Sequence, residues 1–370
     1  MKFLYVSNSR IPTGRAHGVQ IMHMCQAFAA LGADVALVVP GKRNFQEADP
    51  FEYYNVRRNF RIERVPVPDI GSRTSRMAHT VFLFDVAMFA MALFFSRIAR
   101  KGDIIYLRDY PLLFLFSPRR NAVAIEIHDV PRWHRIFLAA LKRASHIIAI
   151  THGVKDALIA LGVPGDKILV APDAVDIEEF AHPEPRASAR ARLGLAEAEK
   201  IALYIGRIDD WKGTDTFFEA AAFLPSGIRA AVIGGDEQQI AELKTRFPRV
   251  MFLGYHPYRE LSDNQAAADC LVLPSTAKHE ISARFTSPLK LFSYMASGRP
   301  IVASDLPSTR EVIDEQSAYL VPPDDAEALA KGITSALNDA RAAERSARAR
   351  ELVKNYTWAS RAKTIMDALQ

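Results

Sequence analysis

The stretch MKFLYVSNSRIPTGRAHGVQIMHMCQAFAALGADVALVV, residues 1–39, decides how the chain begins to fold. Lys2–Ser7 is a short apolar run of strand character, and the polar loop Asn8–His17 follows it. From Gly18 to Leu31 the apolar residues Ile21, Met24, Cys25, Phe28 and Leu31 recur at helical spacing. Gly32 stands where a helix commonly turns left-handed and stops, and Val35–Val39 resumes as a strand. Strand, helix, strand in that order is the repeating unit of a parallel sheet wound by helices. No GxGxxG follows the first strand, which counts against an ordinary dinucleotide oxidoreductase.

The same alternation runs outward along the chain. Further strands are expected at Ile104–Leu107, Ala122–Ile127, Ile147–Ile150 and Ile168–Ala171. The stretch Asp176–Glu199 contains HPEPRASARARLG; it is polar and lacks apolar periodicity, so an interdomain linker is expected at 181–199. A second series of strands follows: Ile201–Ile205, Ala230–Ile233, Met251–Leu253, Cys270–Leu273, Ile301–Ala303 and Tyr319–Val321. Residues Arg341–Gln370 read as Ala/Arg-rich helix. The expected fold class is α/β, with two Rossmann-like doubly wound domains at 1–180 and 200–350. A C-terminal helix at 351–370 is expected to pack back on the first domain. Ligands of such pairs are expected in the cleft between them, at the carboxyl ends of the strands.

Composition bounds the class. A chain of 370 residues exceeds what one core usually organises, and 49 % apolar with 24 % charged residues excludes extended disorder. Two cysteines, Cys25 and Cys270, lack metal-ligand spacing and make no disulfide framework, so no metal is expected and a reducing cytoplasm fits. The N-terminus lacks the pattern of a signal peptide. Lys and Arg exceed Asp and Glu by 23 to 18 in residues 1–185, and number 24 against 24 in residues 186–370. A basic first half admits two readings, a solvated surface or attraction to phosphorylated acceptors and anionic lipid. Val81–Phe95 is the most apolar stretch and is too short to span a bilayer comfortably; it is either a buried helix or a membrane-facing one. No basic-aromatic motif of the common nucleic-acid modules is present, so no nucleic-acid partner is expected.

The run YIGRIDDWKG, residues 204–213, carries the chemistry. A strand ends at Gly206 and delivers Arg207 and Lys212, five positions apart, into a loop before a helix near Thr214. Two fixed cations suit a diphosphate on which negative charge grows as a sugar leaves, or are two unrelated basic residues of a surface loop; spacing alone does not choose. Asp209 and Asp210 read as loop solvation rather than as metal ligands. In SPLKLF, residues 287–292, Ser287 is a good N-cap and Pro288 a good first helical residue. A helix starting there, with Leu289 next, turns free backbone N–H groups toward a distal phosphate, or is simply a capped structural helix.

The run 204–213 resembles the G-R-x-x-x-x-K-G signature of the retaining glycosyltransferase family 4, whose architecture is GT-B. Phe252–Tyr255, Leu273–Ser275, the SPLKLF run and Tyr294–Ser304 resemble that family in the same order. The resemblance implies that Arg207 and Lys212 bind the leaving diphosphate, and that Gly206, Gly254 and Tyr255 lie against the donor. His17-Gly18-Val19-Gln20 is similar to the family's phosphate-approach loop, with Gly18 retained and His17 in place of a first glycine. His128, just past a strand with Asp129 beside it, matches the family histidine at the transfer point. The resemblance departs where the family carries two Glu residues eight apart, here Phe285 and Ser293. Ser293 still offers the ribose one hydrogen bond, and Glu280 is a conceivable substitute.

The activity implied is retaining, metal-independent transfer from a nucleoside-diphosphate sugar, a co-substrate rather than a cofactor, to a glycan or lipid-linked hydroxyl. Polysaccharide or cell-envelope assembly at the inner face of the membrane, with a peripheral contact through the first domain, is the expected setting. Two other readings stay open: a nucleotide-sugar epimerase of the same fold and a non-catalytic sugar-nucleotide-binding protein.

Overall fold

A computed structural model describes residues 1–42, 48–68, 78–96, 98, 102–116, 122–130 and 134–369. The chain forms two compact units, one of Met1–Pro172 with Trp358–Gln370 and the other of Asp173–Thr357.

The first unit holds a seven-stranded sheet: β1 (Lys2–Val6), β2 (Asp34–Pro40), β3 (Arg61–Val65), β4 (Ile104–Leu107), β5 (Ala122–Ile127), β6 (His146–Ala149) and β7 (Ile168–Val170). Their order is β3-β2-β1-β4-β5-β6-β7, and every pairing is parallel. Phe3, Tyr5, Leu37, Ile105 and Ile125 are fully buried, as expected of strands covered on both faces. The helix Ala16–Ala30 starts two residues inside the expected loop, and Gly32, at φ +90°, closes it. Strand β3 was not expected; its sequence RIERV is polar because it is an edge strand.

The second unit holds β8 (Lys200–Ile205), β9 (Ile228–Ile233), β10 (Val250–Phe252), β11 (Cys270–Leu273), β12 (Ile301–Ser304) and β13 (Tyr319–Val321). This sheet is also parallel throughout, in the order β10-β9-β8-β11-β12-β13. The order reverses between β8 and β11, which makes the carboxyl ends of these two strands the switch point at which such sheets bind ligands.

Two expectations change. The stretch read as a linker, 181–199, contains the helix Arg186–Leu193 and belongs to the second unit. Its polar sequence hides a buried cation: Arg190 is fully buried, pairs with Asp269 at 2.5 Å and donates to the carbonyls of Ala267, Ala196, Glu197 and Glu199. The C-terminal helix is broken into Ala342–Leu352 and Trp358–Leu369, and only the second piece joins the first unit.

The helix Ala78–Ser96 has a buried side and an exposed apolar side; the side chains of residues 81–83 lie outside the described residues. Val86, Phe89 and Leu93 are buried, whereas Phe84, Met91, Phe94 and Phe95 are exposed. Among the described residues no helix is long and apolar enough to cross a membrane.

Candidate active-site clusters

In the second unit the loop leaving β8 is set by three backbone requirements. Gly206 has φ +145° and its N–H donates to Ile233 O at 2.9 Å. A Cβ on Gly234, at the end of β9, would lie 2.0 Å from Gly206 O, and one on Gly213 would lie 2.0 Å from Pro274 O. No side chain fits at either place, so the loops after β8, β9 and β11 close on one another. The Tyr204 hydroxyl donates to Arg207 O at 2.7 Å and fixes the start of the loop.

That frame holds a group of charges. Arg207 is exposed and its Nη2 lies 3.1 Å from Asp209 Oδ1. Lys212 ends the turn Asp210–Lys212, with its ammonium 5.1 Å from the centre of the Trp211 ring. Burial pulls the Lys212 amine below its ordinary range and Arg207 adds to that, while Asp209 opposes them. Asp209 is not loop solvation: its side chain is mostly buried beside the cations and its Oδ2 has no hydrogen-bond partner among the described residues. Asp210 is exposed, as expected.

The helix Leu289–Ser297 starts one residue later than the SPLKLF reading places it. Pro288, in extended conformation, occupies the N-cap, and Leu289 is the first helical residue. Ser287 does not cap; it is buried and its Oγ accepts from Asp173 N–H at 2.8 Å. Ser293 is buried too. Its hydroxyl donates to Lys290 O at 2.9 Å and accepts from Gln265 Nε2 at 3.0 Å, which spends its only donor and one of two lone pairs. The hydroxyl thus has no proton left to donate and one lone pair left for the hydrogen bond expected of Ser293. Phe285 is buried in the preceding turn Ile281–Phe285, and Glu280 is exposed and faces Arg284 at 3.4 Å. Gly254, at φ +82°, accepts from Gly234 N–H at 2.8 Å, and Tyr255 beside it is exposed.

The expected residues Gly206, Arg207 and Lys212 thus come together. Sequence reasoning missed Asp209, Gly234 and Lys290 as members of the group. The Gly234-Gly235 pair directly after an apolar strand was the available signal for the second of these.

The first unit carries a denser cluster. Glu126, the one carboxylate in the apolar strand β5, is fully buried. It accepts from Gln20 Nε2 at 2.6 Å, from Arg361 Nη2 at 2.8 Å and from the Tyr106 hydroxyl, with Arg108 Nη1 at 3.4 Å. Burial pushes its carboxyl up, but Arg361, His128 and Arg108 outweigh that and hold it well below the ordinary range. His128 places Nε2 2.5 Å from Glu126 Oε1 and Nδ1 3.4 Å from Arg108 Nη2. A carboxylate only accepts and a guanidinium only donates, so the proton is assigned to Nε2 of a neutral ring. Burial and then Arg108 bring the His128 pKa down to about 4, against the pull of Glu126. Both ring nitrogens of the expected transfer-point histidine are engaged by its own unit.

Gly18 lies in the first turn of the helix Ala16–Ala30, where a Cβ would meet Tyr54 Oη at 2.1 Å. That hydroxyl donates to Thr13 O at 2.8 Å and accepts from Thr13 N–H at 2.6 Å. The glycine is required by this lock on the loop. Among the described residues no group of three or more His, Cys, Asp or Glu is placed to hold a metal ion.

Two parallel doubly wound sheets with a charged loop at a switch point define the GT-B class, and solved structures agree. The Anabaena protein HepE, solved in complex with UDP and glucose, superposes with a TM-score of 0.77 at 19 % identity, over 100 % of this chain and 99 % of that one. Sucrose-phosphate synthase from Thermosynechococcus elongatus superposes with 0.78 at 22 %, over 99 % and 98 %.

Residues 17–179 match the family described as Glycosyltransferase Family 4, and residues 199–339 match that described as Glycosyl transferases group 1. The chain belongs to the group 1 glycosyltransferases. It is 29 % identical over 238 residues to the D-inositol 3-phosphate glycosyltransferase of Xylanimonas cellulosilytica, a match covering 60 % of this chain and 55 % of that protein. The match to the Nocardia farcinica enzyme of the same name, 30 % identical, covers 45 % of this chain and 39 % of that protein. The chain thus spans about half the length of these relatives or less. A putative teichuronic acid biosynthesis glycosyltransferase of Bacillus subtilis is 21 % identical over 90 % of this chain and 88 % of its own.

Proposed function

We propose that this protein is a retaining glycosyltransferase that moves a sugar from a nucleoside-diphosphate sugar to a hydroxyl acceptor without a metal ion. The observation that carries the reading is the placement of Arg207 and Lys212 around Gly206 at the switch point of the second unit. In this reading the bond from the anomeric carbon to the diphosphate breaks, and the acceptor oxygen attacks on the face it leaves. The departing phosphate oxygen takes the acceptor proton, so no base is consumed. Charge grows on that phosphate as the bond stretches, and two cations already in place stabilise it without reorganisation. Glycan or lipid-linked acceptors, and a role in polysaccharide assembly, fit the kind of relative found in Bacillus subtilis.

Arg207→Ala and Lys212→Ala should each lower turnover by a factor of about ten to a thousand. The double variant should lose less than the product, because both act on one group. Activity near wild type in both single variants removes the assignment. The buried Ser293 favours one second reading, a sugar-nucleotide-binding protein without turnover. Nucleotide release that depends on added acceptor distinguishes a transferase from such a binder.

A further inference from the structure

Lys290 is the one member of the charged group in the second unit that neither motif nor function has absorbed. It lies in the first turn of the helix Leu289–Ser297 and its ammonium sits 3.8 Å from the centre of the Tyr204 ring. A Cβ on Gly206 would lie 2.9 Å from its Nζ, so the ammonium occupies the space that the strand-end glycine leaves open. Among the described residues this ammonium has neither a hydrogen-bond acceptor nor an ion-pair partner within 4 Å; it rests on the aromatic face and feels the Asp209 carboxylate at longer range.

Its surroundings do not supply the missing acceptor. The charged and titratable groups around it are Lys212, Asp209 and Arg207 from the loop after β8, Tyr204 from β8, and Tyr294 one turn further along its own helix. Asp209 spends Oδ1 on Arg207, and its Oδ2, which has no hydrogen-bond partner among the described residues, makes no ion pair with the Lys290 ammonium. The Tyr204 hydroxyl is spent on Arg207 O, and the Tyr294 hydroxyl accepts from Ile205 N–H at 3.0 Å. Burial and the neighbouring Lys212 press the Lys290 amine well below its ordinary range, with Asp209 in opposition. A primary amine held beside the Lys212 ammonium, with N–H groups unspent, is costly unless an anion enters. Three cations and one carboxylate leave two uncompensated positive charges, which matches a diphosphate.

We infer that Lys290 is a third phosphate-binding cation of the donor site, reaching over Gly206 to the diphosphate that Arg207 and Lys212 hold. This rests on the functional reading above and deepens it. The Tyr204 ring holds the ammonium in place while the site is free.

Calorimetric titration with inorganic pyrophosphate, and in parallel with UDP, tests it on the full chain. Lys290→Met should weaken pyrophosphate binding about ten-fold or more, and Lys290→Arg should keep it within about three-fold, because a charge-assisted contact is lost in the first and kept in the second. Affinity unchanged in Lys290→Met, with Arg207→Ala and Lys212→Ala both weakened, overturns the inference and leaves the diphosphate site standing. Affinity unchanged in all three, or no binding by the wild type, overturns both. Should Lys290→Met fail to fold, acylation footprinting of the wild type decides. Pyrophosphate should protect Lys290, and unchanged reactivity refutes the assignment.

Discussion

Arg361→Met should unfold the first unit more readily than any surface change. Arg361 comes from the helix Trp358–Leu369, and its side chain is 3 % exposed against 0 % for Glu126, the partner 2.8 Å away. It also donates from Nε to Pro172 O at 2.8 Å and from Nη2 to Ala171 O at 3.1 Å. Removing one member of a buried pair typically costs about 3–5 kcal/mol, because the other charge is left without compensation. Gln20 and Tyr106 still donate to Glu126 in the variant, which places the expected loss near the lower end, about 3 kcal/mol. For a unit of this size that corresponds to roughly 6–12 °C in midpoint temperature. Urea or thermal unfolding followed by circular dichroism reads it, the transition of the first unit being the one that moves. Adding Glu126→Gln should recover part of the loss, since the orphaned charge goes with it. A single variant within about 1 kcal/mol of wild type, or a double variant as unstable as the two single losses added together, refutes the reasoning.

Acid should weaken the same unit before it protonates Glu126. His23 is fully buried, stacked on Trp358 at 5.6 Å, and burial lowers its pKa to about 4 against a hydrogen bond with the Tyr54 backbone that raises it; His128 is likewise brought to about 4. A base whose folded pKa lies below its unfolded value contributes fully above about pH 6.5 and loses that stability as pH falls toward 4, about 2 kcal/mol for each ring at pH 5. Glu126 has a depressed folded pKa, so its share is lost only below the ordinary carboxylate range. A urea midpoint that does not fall between about pH 7.5 and 5 contradicts the two buried neutral rings. The exposed face Phe84, Met91, Phe94 and Phe95 predicts a membrane contact through the first unit. Anionic liposomes at low salt should float the protein, and Phe94→Ser with Phe95→Ser should abolish that; flotation unaffected by both substitutions places the contact elsewhere.

Most of the fold was legible because it is written in runs of four to six apolar residues, and among the described residues twelve of the thirteen strands carry such a run in whole or part. Strand β3 was not, since RIERV buries little and its edge position tolerates charge. The helix Arg186–Leu193 was illegible for the opposite reason. Its anchor is an arginine whose carboxylate partner, Asp269, and the Ala267 carbonyl lie far off in sequence, and whose other partners are the backbone carbonyls of Ala196, Glu197 and Glu199, which no side-chain pattern announces, so composition alone reads as solvated surface. At the site, the motif 204–213 disclosed two cations because both lie within one loop. Lys290 joins them from a separate helix 78 positions beyond Lys212, and only the fold brings it over Gly206. Glu126 had a local signal, a lone carboxylate in AVAIEI, but its five partners come from four different parts of the chain.

The serine at 293 bears on how the three cations are held. A carboxylate there would stand three residues after Lys290 on the same helix, within reach of its ammonium. It would give Lys290 an internal partner and take one positive charge out of the group. With serine, the hydroxyl turns back to the Lys290 carbonyl and to Gln265, and the ammonium gains no partner on its own helix and rests on the Tyr204 ring. The same substitution that removes a grip on the ribose therefore leaves more positive charge for the phosphates. Donor affinity in such a site leans on the diphosphate, which every nucleoside-diphosphate sugar shares. Binding here should therefore fall with rising salt more steeply than in a site that also clasps the ribose through a carboxylate.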